Sequence, residues 1–332
     1  MVSGPASIID LARKLTQEVL LPAAMDVESS RTIPGSHLDL LAASGFYGMA
    51  GPREYGGLGV DDAASWQVLE IMAGGCLSTT FVLLQHHGAV RAVAQNAGAS
   101  VRERWLRPLC AGELRAGLAL AGAMPGPPQL RAQQVSGGYV FDGTSPWVTG
   151  WGHIDTLHAA ARDPDDNVVW ALLDVNAEAA LSVEPLDMVA VMASRTVHAN
   201  FHNHFVPAER ITSSMPLSEW QVRDAAGLRS NGSLALGVAG RCCALIGPSA
   251  LDDELIDARE ALNAAPAEAM PAARAAAAEL AVRAASALVV AHGSRSILAG
   301  SQVQRLAREA MFLLVFGTRP AIKEHLSRLL RA

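Results

Sequence analysis

The sequence predicts a multidomain α and β protein in three zones: a helical domain over residues 1–115, a small central β-barrel over 116–215, and an antiparallel helical bundle over 216–332. Three patterns predict it. Apolar residues recur at helical spacing in the first zone. Short β-type runs alternate with turn clusters in the second. Helical spacing returns, with an alanine-rich run, in the third.

In the first zone Ile8, Leu11, Leu15 and Val19 recur at helical spacing, as do Leu69, Met72 and Cys76. Residues 48–59 are rich in Gly and Pro and read as a loop between helices. In the second zone Tyr139-Val140-Phe141 and Trp147-Val148-Thr149 flank Asp142-Gly143, a hairpin signal. Residues 168–173 form a strand after the turn Asp163-Pro164-Asp165-Asp166-Asn167, and residues 196–201 form another that ends before Pro207. Several short strands between turns suggest a small sandwich or barrel. In the third zone residues 272–290 are alanine-rich and favour helix, with Leu280, Ala284 and Leu288 on one face. Residues 293–300 break that helix, 304–314 form a last one before Gly317, and 265–271 read as a flexible connection. Packed antiparallel helices make a bundle.

Composition narrows the function. The chain has 332 residues, 50% of them hydrophobic, enough for the cores of two or three small domains. Charged residues are 17%, below the usual quarter, so much surface is expected to lie inside or against other subunits. A net charge of −6 gives no electrostatic reason to seek nucleic acid or an anionic membrane. Cys76, Cys110, Cys242 and Cys243 form no C-x-x-C pair and read as buried small hydrophobes in a reducing compartment. Asp10, Arg13 and Lys14 interrupt the N-terminal apolar pattern, which lacks the order of a signal peptide. No uncharged apolar run long enough to span a bilayer is read, so the expected location is the cytoplasm.

Four segments carry a resemblance. Gly51-Pro52-Arg53-Glu54-Tyr55-Gly56-Gly57-Leu58-Gly59 is similar to a P-x-x-Y-G-G-x-G loop. Gly143-Thr144-Ser145-Pro146-Trp147-Val148-Thr149 is similar to a G-x-K-x-W-I-T strand. Ala193-Ser194-Arg195-Thr196 with Val206-Pro207-Ala208-Glu209 resembles a pair of closing strands. Gln304-Arg305-Leu306-Ala307-Arg308-Glu309-Ala310 with Gly317-Thr318 resembles R-L-x-R-D-A…E-G-T. In this order the four resemble the acyl-CoA dehydrogenase superfamily.

The resemblance implies a helix–barrel–helix fold, FAD as cofactor, an acyl-CoA or related thioester as substrate, CH–CH oxidation, and a homo- or hetero-oligomer built through the C-terminal bundle. It implies flavin contacts at Trp147 and Thr149. An aromatic side chain packs well beside a flat ring. Residues two apart on a strand point to one face, so a hydroxyl at Thr149 would reach the ring's polar edge. Without the resemblance, Trp147 reads as core and Thr149 as a strand-surface hydroxyl. Residues 77–87 resemble the helix lining the acyl pocket, with Thr80, Phe81, Leu84 and Gln85 as its wall by helical spacing; a plain core helix is the alternative.

The sequence also departs from the family. The reaction needs a carboxylate to remove the α-proton. At the usual position, before Gly317-Thr318, stands Phe316. At a minority position on the first bundle helix stands approximately Ser230, and a serine is not a base unaided. The family's T-E-P-x-A-G-S-D flavin loop is replaced by Leu120-Ala121-Gly122-Ala123-Met124-Pro125, where the backbone amides of Ala121 to Ala123 remain to meet the ring. The R-T-x-F-G…Q segment has no counterpart, and Arg295 stands where Q-x-x-G-G-x-G is altered. Fewer phosphate partners imply FAD held weakly or shared with a partner subunit.

His86 and His87 are acid–base candidates because imidazole titrates near neutrality, although a lone His is more often structural. His202 and His204 share a strand face, but no acid completes a metal set, so none is expected. Three functions compete. The first is a flavin-dependent acyl-CoA dehydrogenase-like oxidoreductase. The second is a catalytically degenerate subunit of a hetero-oligomer. The third is a reduced-flavin monooxygenase of the same fold, for which His292 and His325 are the late histidines.

Overall fold

The computed structural model describes residues 5–124, 126–176 and 179–331. The predicted helix start at residues 1–4, Pro125 of the predicted flavin loop, and Ala332 lie outside them. Six helices come first: α1 Pro5–Leu15, α2 Leu21–Ser30, α3 Gly35–Ala43, α4 Asp62–Gly75, α5 Leu77–Asn96 and α6 Ala99–Ala111. A π-helical turn, Thr16–Leu20, joins α1 to α2. Asp61 starts α4, its carboxylate accepting from the Ala64 N–H at 2.8 Å.

Eight strands follow: β1 Ala116–Ala119, β2 Leu130–Val135, β3 Gly138–Val148, β4 Thr156–Arg162, β5 Asn167–Asp174, β6 Leu181–Pro185, β7 Val197–Pro207 and β8 Ile211–Pro216. Their order is β6-β7-β3-β2-β4-β5-β8, with β1 parallel to β4. This sheet is open, with β6 and β8 as its ends. The expected small barrel is therefore replaced by an open twisted sheet among the described residues. The middle is covered on both faces, which is why β4 and β5 read as continuous apolar runs. Leu157, Ala159, Ala161, Val169, Ala171 and Leu173 pack into one core, while Ala160, Val168 and Trp170 face another.

The expected hairpin at Asp142-Gly143 does not form. β3 runs through it as one strand, with a register shift between Phe141 and Gly143. Gly143 takes φ +116, and a Cβ there would strike the Gln129 carbonyl. The signal that resembled a turn marks a bulge. β7 likewise runs on to Pro207 instead of stopping before it.

Five helices complete the chain: α7 Leu217–Ile246, α8 Ala250–Ala264, α9 Met270–His292, α10 Gln302–Val315 and α11 Pro320–Leu329. A Ser249–Asp252 capping box opens α8. The stretch Met270–Ile297 is long and apolar enough to cross a membrane by length and composition, although Arg274, Glu279, Arg283 and Arg295 keep it from being an uncharged run. In the fold Arg274 of this stretch is buried, donating to the Leu313 and Phe316 carbonyls at 3.0 and 3.4 Å. Its alanine face is packed inside a single core that also holds residues of α1 to α5, α7, α10 and α11. The N-terminal and C-terminal helices thus share one apolar interior. All four cysteines are free thiols and buried.

That shared core has a tight point. On α4, Trp66, Glu70 and Gly74 are four residues apart; on α7, Arg229, Ser233 and Gly237 are too, so each trio forms a stripe on its helix. Gly237 meets the Glu70 carbonyl, and a Cβ there would lie 2.8 Å from Ala73 Cβ and 2.9 Å from the Gly74 nitrogen. Gly74 in turn faces the Gly237 carbonyl. Buried Arg305 and Glu309 pair at 2.5 Å nearby within α10.

Gly237→Ala is expected to lower stability by about 1–3 kcal/mol, the cost of overpacking a closed contact. Urea unfolding measures it; an unchanged midpoint contradicts the contact.

Candidate functional site

A cavity of about 1700 Å³ lies between the sheet and the helices. That exceeds the roughly 300–1,000 Å³ of an ordinary ligand pocket. Its sheet side carries Leu120, Ala121, Trp147, Thr149 and Thr196, and its helical side Trp66, Phe81, Leu84, Gln85, Arg229 and Phe316.

Trp147 and Thr149 both reach the cavity, but not by strand alternation. A register shift between Ser145 and Val148 breaks β3, with Pro146 in the gap and no N–H to give the ladder. Trp147 takes φ +62, a left-handed conformation that a bulky residue adopts only under constraint. Its indole is 62% exposed. Thr149 is 2% exposed. Its Oγ1 is 3.2 Å from Thr196 Oγ1, which is 2.9 Å from Ser194 Oγ, a buried chain of hydroxyls.

The loop of residues 120–123 divides. Leu120 and Ala121 line the cavity; Gly122 and Ala123 do not. The Gly122 N–H donates to Ser145 Oγ at 3.2 Å and the Ala123 N–H to the Leu120 carbonyl at 2.9 Å, so two of the three expected amides are spent inside the fold. Gly122 is required there: a Cβ would strike the Thr144 carbonyl and lie 2.9 Å from Leu130 Cβ and from Ser145 Cα. The Ala121 amide takes no partner among the described residues. An exposed indole, a hydroxyl chain and one open amide fit the face and edge of a flat heteroaromatic ring.

On α5, Phe81, Leu84 and Gln85 face the cavity, but Thr80 does not. Thr80 is fully buried and donates to the Cys76 carbonyl at 2.9 Å. Thr80 is turned into the helix's buried side by that bond, so it does not join Phe81 on the wall. His86 and His87 are both buried and bonded to backbone, and His87 also lines the cavity. The His86 Nδ1 accepts from the Ala116 N–H at 3.0 Å and its Nε2 meets the Leu109 carbonyl at 3.1 Å; His87 Nε2 meets the Phe46 carbonyl at 2.7 Å. His158, missed in sequence, stacks on Trp170 with centroids 4.5 Å apart and bonds Thr212 at 2.8 Å. No group of three or more His, Cys, Asp or Glu among the described residues is placed to hold a metal ion. His202 pairs with exposed Ser182, whereas His204 is buried and lies edge-on to Phe201.

Both positions read for a missing base converge here. Phe316 ends α10 and meets Phe81 edge-on, with centroids 4.8 Å apart, and stacks on Phe312 at 5.5 Å. Gly317 follows at φ +62, where a Cβ would lie 2.7 Å from Asn231 Nδ2. Asn231, beside the expected Ser230, is therefore the α7 residue closest to this turn; both line the cavity. Three carboxylates also line it. Asp62 pairs with Arg91 at 3.1 Å, Asp187 with Arg31 at 2.8 Å, and Asp224 with Arg319 through two bonds of 2.6 and 3.0 Å. Arg319 also donates to the Gly317 and Thr318 carbonyls, both at 3.3 Å. Asp224 had no sequence signal beyond charge in a helix, and Arg229 only its four-residue spacing from Ser233 and Gly237.

Comparison with known proteins then places the chain. Its residues 6–113 match the model "Acyl-CoA dehydrogenase, N-terminal domain" and 233–316 match "Acyl-CoA dehydrogenase, C-terminal domain", together more than half its length. It is 23% identical over 209 residues to a mitochondrial isovaleryl-CoA dehydrogenase of Arabidopsis thaliana, covering 60% of this chain and 51% of that protein. It is 31% identical over 167 residues to 3-sulfinopropanoyl-CoA desulfinase of Cupriavidus necator, covering 47% and 41%. It is 26% identical over 242 residues to benzylmalonyl-CoA dehydrogenase of Aromatoleum aromaticum, covering 70% and 64%. These matches thus span 41–64% of the relatives' lengths. In fold it is similar to butyryl-CoA dehydrogenase from Megasphaera elsdenii, with a TM-score of 0.86, 17% identity and coverage of 99% and 98%. The FAD complex of PigA gives 0.84 at 18% identity, covering 98% and 97%.

Burial pushes His86 and His158 down to about 3 and His87 to about 4, all from 6.5. Unfolding then takes up protons, so stability present above pH 6.5 is lost as pH falls toward about 3. The urea midpoint is expected to fall between about pH 7 and about pH 5; a flat profile contradicts neutral, buried imidazoles.

Proposed function

The chain belongs to the acyl-CoA dehydrogenase superfamily, and we propose that it is a flavin-dependent oxidoreductase acting on an acyl thioester in the cytoplasm. One observation carries the reading: a bulky indole held left-handed and exposed at the cavity, where nothing in the core needs it. Trp147 offers its face to the flavin ring, Thr149 its hydroxyl and Ala121 its amide to the ring's edge. Leu120 packs alongside. Bound FAD would supply a two-electron acceptor for the β-hydride. Phe81, Leu84 and Gln85 line the acyl path and exclude water. Asp224 takes the α-proton at a carboxylate oxygen, oriented by Arg319 against the Gly317–Thr318 turn. Assembly runs through the C-terminal bundle, where Val290, Ile297 and Leu298 are exposed.

A second reading is favoured by the Phe81, Phe312 and Phe316 cluster. It walls the place of the usual carboxylate with hydrocarbon, which suits a thioester-binding subunit whose catalytic homologue performs the chemistry.

Two experiments test these readings. Trp147→Gly relieves the left-handed strain, so the melting temperature is expected to hold or rise while flavin content in the purified protein falls. Full flavin occupancy in that variant refutes the ring site. Anaerobic flavin reduction by an acyl-CoA is expected to drop about 10²–10⁴-fold in Asp224→Asn. An unchanged rate removes Asp224. Reduction that is absent in the natural chain and arises only in Phe316→Glu selects the second reading.

A further inference from the structure

Four arginines line the cavity: Arg91, Arg223, Arg229 and Arg319. Three of them face a carboxylate: Arg91 faces Asp62 at 3.1 Å, Arg223 faces Glu219 at 2.5 Å, and Arg319 faces Asp224 at 2.6 Å. Among the described residues Arg229 faces none. It donates through Nε and Nη2 to Asn263 Oδ1 at 3.0 and 2.6 Å, and through Nη1 to Ser233 Oγ at 2.9 Å. Its guanidinium lies 4.5 Å from the centroid of the Trp66 ring. Glu70, the nearby acid, is bound by Arg259.

Arg229 is 3% exposed, and burial pulls its pKa down to about 10. Its hydrogen-bond partners are neutral, and the one nearby carboxylate, Glu70, is already bound by Arg259; a cation so buried is costly and is normally balanced by an anion or a ligand. The contacts with Asn263 and Ser233 fix the planar fork, and a fixed guanidinium suits a two-oxygen anion. Its place follows from its neighbours. Trp66 on α4 and Asn263 on α8 put it on the helical side of the cavity.

We propose that Arg229 anchors an anionic oxygen group, a carboxylate or similar oxyanion, carried on the acyl portion of the thioester. The substrate class is thus an acid-bearing acyl thioester, not a plain hydrocarbon one. This rests on the reading that the cavity binds an acyl thioester.

The test uses the purified full chain with its flavin and calorimetric titration of two probes. Glutaryl-CoA and valeryl-CoA share chain length and the CoA moiety and differ by one terminal carboxylate. Glutaryl-CoA is expected to bind at least about tenfold more tightly, the range of one charge-assisted contact. Arg229→Gln is expected to bring glutaryl-CoA to the valeryl-CoA level and to leave valeryl-CoA within about twofold, while Arg229→Lys keeps part of the preference. Equal binding of both probes by the natural chain overturns the anchor and leaves the thioester cavity standing. Equal weakening of both by Arg229→Gln assigns the guanidinium to CoA and also overturns it. If neither probe binds, the thioester reading falls and the anchor with it. The natural-chain comparison needs no variant to fold.

Discussion

Gly237 lets α7 lie against α4 with no side chain between them, and the rest of the helical wall is registered from that contact. From it, two four-residue stripes run side by side and set Arg229 over Trp66, one step beyond Glu70 and Ser233. A larger residue at the crossing would separate the stripes and dissolve the stacking. The same contact fuses the first and last helical zones into one interior. The cavity is therefore a gap in a continuous core, bounded by elements far apart in sequence.

The two ends of that gap have opposite characters. At the sheet end the groups are neutral and the backbone is under constraint: Trp147 is held left-handed, and Gly122 is packed so closely that no side chain fits. At the helical end the backbone is regular and the charges carry the information. Most are cancelled in place, as Arg319 is by Asp224. Phe81, Phe312 and Phe316 add an apolar cluster to the lining.

Much of this was legible in the sequence, though not always for the right reason. Helical periodicity found α9 and α10 to within a few residues, because their apolar faces are continuous. Trp147 and Thr149 were singled out on a resemblance and reach the cavity, yet alternation along a strand does not bring them there. Pro146 and the bulge do, and single-sequence patterns do not reveal a bulge. Asp142-Gly143 imitates a hairpin because a bulge and a turn ask the same freedom of glycine. Thr80 was placed beside Phe81, but its hydroxyl turns back to the Cys76 carbonyl, a bond that spacing alone does not reveal. Arg229 and Asp224 passed unnoticed because a charged residue in a helix is usually solvated; the four-residue spacing of Arg229, Ser233 and Gly237 against Trp66, Glu70 and Gly74 was the available clue. The open sheet was misjudged as a barrel because closure depends on which ends pair, and strand count does not say.

β1 and β2 share one side of β4. The first pairs with Thr156 to Ala159, and the second touches it only where Arg131 meets Arg162. The loop after β1 is tied to the start of β2, the Gly122 carbonyl accepting from the Gln129 and Leu130 N–H groups at 2.7 and 2.9 Å. A change of length there would pull on both strands at once, so the stance of Leu120 and Ala121 at the cavity is set by one glycine wedged between neighbouring strands.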